Sequence, residues 1–199
     1  MLELPSHPRR HMKGISASPD LRRKTRNRNF EEKILDRVDR NADEIVSFVQ
    51  EIIRIPSVTG NESEVGQAIF RKMKSMGLEA EIVEGVPGRP NVCAVLNGAR
   101  KGKRLLFNGH MDVVPPGPRE EWEFPPFSGI IRDGRLHGRG TVDMKSGTCA
   151  SILAVEAIKQ SGVSFGGAMP LPPASAREVG EALGPGFPFQ KGFLGAAMG

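Results

Sequence analysis

Cysteine is scarce in this chain: Cys93 and Cys149 are the two in 199 residues, with no CxxC spacing. That excludes a thiolate zinc knuckle and a neighbouring redox pair, and leaves two buried thiols, one in a strand-like and one in a helix-like segment. Long apolar runs are missing as well. No stretch approaches the roughly 18 to 20 apolar residues of a membrane span, and the N-terminus lacks the charged-then-apolar order of a secretory signal. A cytoplasmic protein without membrane contact is expected. No internal repeat is visible, and the length suits one good-sized domain.

Acidic residues are scarce at one end only. In the first 28 residues Glu3 and Asp20 stand against Arg9, Arg10, Lys13, Arg22, Arg23, Lys24, Arg26 and Arg28. The net charge of +5 therefore belongs to a tail and is no argument for a nucleic-acid-binding face. With Pro5, Pro8 and Pro19 and almost no apolar periodicity, residues 1–29 are expected to be disordered. Three readings of that tail stay open: a solvated extension or upstream start, a weak polyanion-binding arm, and a transit-like targeting peptide.

What is present begins at Phe30. At 38% hydrophobic and 26% charged, the body of the chain reads as a globular protein. Ile45, Val46, Phe48, Val49, Ile52 and Ile53 form a one-sided stripe that predicts a helix over Ala42 to Ile55, closed by Pro56. Asn61 and Glu64 suit a capping pair for a second helix, with Val65, Ala68, Ile69, Met73 and Met76 facing a core and Gly77 ending it. EAEIVE, NVCAVLN and RLLFNG read as strands, and Asp133-Gly134 in IIRDGRLHG favours a tight hairpin. SGTCASILAVEAIKQSG reads as a helix ended by Gly162. The alternation argues for an α/β layer structure with some parallel pairing.

Within that frame LLFNGHMDVVPPG places His110 and Asp112 just past a run expected to be a strand buried on both faces, at the sheet edge where α/β proteins bind ligands. Residues two apart in extended chain share a side, so the carboxylate can hold one ring nitrogen and leave the other for a metal. Asp143, in GRGTVDMKSG, precedes the helix opened by Lys145, Ser146 and Gly147; taken alone it suits an N-terminal capping acid as well. His137, alternating with Leu136 in the hairpin, suits a surface strand residue.

NGHMDVVP followed by EWEFPPFSGIIRDGRLHGRGTVDMKSG closely resembles the first half of the M20 family of di-metal hydrolases, which includes acetylornithine deacetylase, succinyl-diaminopimelate desuccinylase, aminoacylase and carboxypeptidase G relatives. The resemblance runs from about Ala42 to Gly167 and includes EIVSFVQEIIRIPSVTGNE. It implies a partial zinc-hydrolase α/β domain (phosphorylase/hydrolase-like), residues 30–167, with a central mixed sheet flanked by helices and incomplete at its C-terminal side. It implies two zinc ions, with cobalt or manganese able to replace them. His110 would be a ligand of one ion, Asp143 would bridge both, and Asp112 would act in catalysis by orienting His110. The implied substrate is a small N-acyl amino acid or a peptide; intact relatives are homodimers.

Departures from the family begin after GVSFGG. Pro170, Pro172 and Pro173 argue against a central strand, and residues 168–199 read as an atypical, disordered Gly/Pro/Ala-rich tail. Laid on the family's DEEVGG, the stretch AREVGE leaves Glu178 as a metal ligand and puts Arg177 where the general base belongs. Arginine stays protonated and cannot serve there. No histidine follows His137 in the sequence, and the family's lid domain is expected to be absent. Two functions of different class stand: the first part of an amide hydrolase, truncated and inactive alone, or a non-catalytic binding or regulatory module that retains the fold.

Overall fold

The computed structural model describes the backbone of residues 19–171, 173 and 174 and the side chains of residues 29–171. Three helices lead: α1 (Pro19–Arg40), α2 (Ala42–Arg54) and α3 (Ser63–Ser75). The stripe of α2 buries Phe48, Ile52 and Ile53, and the helix stops where Ile55 turns extended ahead of Pro56. α3 buries Val65, Ala68, Ile69 and Met73. It ends in a Schellman turn: Gly77 takes φ 67°, its N–H donates to Lys74 O at 2.9 Å, and Leu78 N–H reaches Met73 O at 3.1 Å.

The strands are β1 (Glu79–Val86), β2 (Arg89–Asn97), β3 (Arg100–Arg104), β4 (Gly109–His110), β5 (Ile130–Arg132) and β6 (Arg135–His137). After helix α4 (Lys145–Gln160) come β7 (Gly166–Leu171) and β8 (Pro173–Ala174). A four-stranded mixed sheet runs in the order β1-β2-β7-β3, antiparallel except where β7 lies parallel to β3. β4 pairs in parallel with β8, and β5 with β6 forms the expected hairpin; Asp133 and Gly134 carry φ 52° and 72°, the left-handed pair of a type I′ turn.

α3 packs on β1 and β2, and α4 packs against α2 and β4. Between them lies one apolar core in which Ile52, Ile69, Met73, Val92, Val155 and Leu171 are fully or almost fully shielded. Truncating any one of the larger side chains there costs about 2 to 5 kcal/mol. Three helices are also tied electrostatically: Lys72 on α3 donates to Glu44 on α2 at 2.6 Å and to Glu156 on α4 at 2.8 Å.

Several expectations are corrected. α1 reaches back to Pro19, into the stretch whose composition argued for disorder; proline is tolerated there because the first turn leaves its amide unpaired in any case. Asn61 and Glu64 do not cap α3, whose N-cap is Glu62 without a side-chain cap bond. RLLFNG is not a doubly buried strand. β3 ends at Arg104 on the sheet's edge, and Leu105 and Leu106 are 56% and 38% exposed, although Leu105 and Phe107 still donate to Ala168 O and Pro170 O of β7.

The prolines do not exclude a central strand either. Pro170 sits opposite Val95 in β7, between β2 and β3, so strand structure continues past residue 167. One proline removes one donor while its carbonyl still accepts, here from Phe107 N–H at 3.0 Å. Beside it Gly167, at φ 91°, passes so close to the main chain of Lys103 that a Cβ would overlap the Lys103 carbonyl.

Candidate metal centre

The site is built on the segment from Gly109 to Val113, which is held from both sides. Ser57 Oγ donates to Met111 O at 2.7 Å, Val113 N–H to Ser57 O at 2.9 Å, and Thr148 Oγ1 of α4 to His110 O at 2.9 Å. Main chain fixed this way leaves His110 6% exposed and Asp112 fully buried. A buried carboxylate needs donors. Thr59 Oγ1 supplies one to Asp112 Oδ2 at 3.0 Å, and the His110 ring supplies another: Nδ1 lies 3.0 Å from Asp112 O and 3.3 Å from Asp112 Oδ1.

The other ring nitrogen faces Asp143. His110 Nε2 stands 3.1 Å from Asp143 Oδ1, and the Asp143 side chain is 74% exposed. Asp143 is therefore no helix cap. The N-cap of α4 is Met144, without a side-chain cap bond. The peptide Asp143-Met144 is cis.

This geometry dictates protonation. A carbonyl only accepts, so Nδ1 must donate to Asp112 O, and a carboxylate facing Nε2 asks for a proton there too. Burial by itself lowers the His110 pKa, but the bonds and charge of Asp112, with Asp143 added, outweigh it and hold the imidazole above its ordinary value. With Nδ1 committed, Nε2 and Asp143 Oδ1 are two donor atoms aimed at one point. A divalent cation suits such a pair, taking the place of the shared proton.

The pair stays incomplete among the described residues, where no group of three or more His, Cys, Asp or Glu forms a metal-sized cluster. Glu178 and Arg177 lie outside the described residues. His137 sits in β6 with its ring edge-on to Phe124, centroids 4.9 Å apart.

Sequence reasoning missed Lys145. Its side chain is completely buried, and Nζ donates to Ile52 O at 3.0 Å and Ile55 O at 2.7 Å, the free carbonyls at the end of α2. Burial brings its pKa down to about 8. A signal existed: a lysine in the first turn of a helix opposes the dipole, so it earns its place by contacts elsewhere.

Comparison with known proteins agrees with this architecture. Residues 106–169 match the profile of Peptidase family M20/M25/M40. The chain is 31% identical over 156 residues to the N-formyl-4-amino-5-aminomethyl-2-methylpyrimidine deformylase of Halalkalibacterium halodurans, covering 76% of this chain and 36% of that protein. It is 40% identical over 113 residues to the succinyl-diaminopimelate desuccinylase of Burkholderia ambifaria, covering 56% and 30%. An M20 family metallo-carboxypeptidase from Sulfolobus solfataricus superposes with TM-score 0.65 at 25% identity, over 75% of this chain and 34% of that one. Human carnosine dipeptidase 1 shares the fold, with TM-score 0.69 at 22% identity over 84% and 39%.

These likenesses are to proteins described as metallopeptidases and amide hydrolases. Over residues 106–169 the chain matches the M20 family, and it carries part of that family's fold, spanning about a third of the length of the curated relatives it matches.

Proposed function

We propose that the chain forms the first part of a zinc-dependent amide hydrolase site that acts on an N-acyl amino acid or a peptide. The observation that carries this reading is the 3.1 Å approach of His110 Nε2 to Asp143 Oδ1, with Nδ1 already tied to Asp112. His110 and Asp143 would hold the metal; Asp112 would orient the ring. Bound there, zinc would supply Lewis acidity toward an amide carbonyl and toward water. The chain's own residues fix which nitrogen is offered, exclude water from the Asp112 side, and hold the imidazole against a second carboxylate.

Two supports come from relatives. The desuccinylase and deformylase names describe removal of an acyl group from an amine. The Bacillus subtilis YXEP protein, similar in fold with TM-score 0.55 at 20% identity, is described as a dinuclear metal-binding peptidase of the M20 family.

Catalytic zinc ordinarily has three protein ligands, and the described residues offer two. If AREVGE aligns with the family's acidic run, Arg177 replaces the base, and the chain alone is then expected to bind zinc without turnover. Equilibrium dialysis against zinc at neutral pH tests this on the purified chain beside His110→Ala and Asp143→Ala. The expected result is zinc retained by the parent and affinity lower by about tenfold or more in each variant. A parent that retains no zinc, or variants that retain it equally, overturns the reading. Hydrolysis of N-acetyl or N-succinyl amino acids at ordinary enzyme rates would overturn the expected inactivity.

A further inference from the structure

A cleft of about 330 Å³ opens beside Asp143, walled by Trp122, Glu123, Phe124, His137 and Arg139. Nothing in the metal-binding scheme uses it, yet its floor is fixed. Trp122 Nε1 donates to Pro116 O at 2.8 Å, which anchors the indole. Arg139 N–H donates to Pro126 O at 2.6 Å, and the Arg139 guanidinium carbon lies 5.0 Å from the centre of the Trp122 ring.

Arg139 is left with unused capacity. Its Nε is buried and has no hydrogen-bond partner, and among the described residues no carboxylate pairs with the guanidinium. An arginine resting on an indole keeps its planar fork, loses little entropy on binding, and matches a carboxylate with two parallel bonds. Partial burial strengthens such a pair, whereas the opposing charge of Glu123 is exposed and screened.

We infer that this cleft is an anion subsite in which Arg139, held on Trp122, receives a carboxylate carried by the ligand whose amide lies at Asp143. The inference rests on the hydrolase reading for the amide and on the cleft alone for the carboxylate. What it adds is the place in this chain, Arg139 on Trp122, where the free acid of such an amide would rest.

Trp122 is the chain's one tryptophan, so its fluorescence reports on this cleft alone. Titrating the purified chain with succinamate and with uncharged butyramide, with and without zinc, should show succinamate binding tighter by about tenfold, the worth of one charged hydrogen-bonded pair. Arg139→Met should abolish that preference while zinc retention in dialysis stays at the parent level. Arg139→Lys keeps the charge without the fork and should retain only part of the preference; it decides the matter if circular dichroism shows the Met variant unfolded. Equal binding of the two amides by the parent, or an undiminished preference in either folded variant, overturns the subsite. Loss of zinc binding in the parent together with an intact succinamate preference would sink the hydrolase reading and leave the anion subsite standing.

Discussion

Lys145 Nζ donates to Ile55 O at 2.7 Å, joining the first turn of α4 to the last turn of α2 across 90 residues of sequence. The same ammonium reaches Ile52 O and lies 6.0 Å from the Phe127 ring centre. It is a helix cap supplied by another helix, and it sits two residues beyond Asp143.

Removing that cap has a signed pH signature. The Lys145 pKa is brought down to about 8, so between pH 8 and the ordinary value near 10.5 the unfolded chain binds more protons than the folded one, and stability gained at this residue rises with pH. Lys145→Met should lower stability by about 1 to 3 kcal/mol near neutrality, since two carbonyls lose their donor while an ammonium is no longer desolvated. Urea midpoints measured from pH 7.5 to 10 should rise in the parent relative to the variant. A constant gap over that range would contradict the argument.

Asp112 should govern the titration of His110. Asp112→Asn keeps an acceptor for Thr59 and the main-chain carbonyl bonded to Nδ1, but it removes the carboxylate bond and charge that help hold the imidazole above its usual value near 6.5. The His110 midpoint, followed by proton NMR, should fall. A raised histidine stabilises fully below its unfolded pKa and loses that contribution as pH climbs through the folded one. The stability gap between parent and variant should therefore narrow as pH rises above the ordinary imidazole value near 6.5. An unmoved midpoint would show that Asp112 does not set the ring's charge.

Both thiols should be silent in the folded protein. Cys93 and Cys149 are fully buried, and burial pushes each thiol up to about 12. A thiol reagent at pH 8 should modify neither cysteine until denaturant is added, and both afterwards. Rapid native labelling of either would place it outside the core.

Gly167→Ala should be among the costliest single-methyl changes. The added Cβ meets a left-handed φ of 91° and the main chain of Lys103 at once, for about 2 to 5 kcal/mol by thermal or urea unfolding. Gly134→Ala, at φ 72° but with open space around it, should cost clearly less.

What the sequence revealed and what it concealed divide along physical lines. The stripes of α2, α3 and α4 and the Asp133-Gly134 turn are local patterns, and each forms as read. Leu105 and Leu106 misled because an apolar run says a side chain can be buried, whereas being covered depends on what lies across the sheet. Pro170 misled because a lost donor was weighed without the acceptor that remains. His110, Asp112 and Asp143 were legible as a motif. Lys145 and the Arg139–Trp122 stack were not, since their partners at residues 52, 55 and 122 are set by tertiary packing.

The position of β7 carries a consequence for assembly. It is last of the four strands in the chain and third in the sheet, wedged between β2 and β3. During synthesis the β1–β2 hairpin can zip as it emerges, but β3 has no neighbour until residues 166 to 171 leave the ribosome. Until then the backbone groups along the near edges of β2 and β3 are unpaired, a template for other chains. The nascent protein is thus most vulnerable to chaperone capture or aggregation in the interval between the emergence of β3 and the arrival of β7.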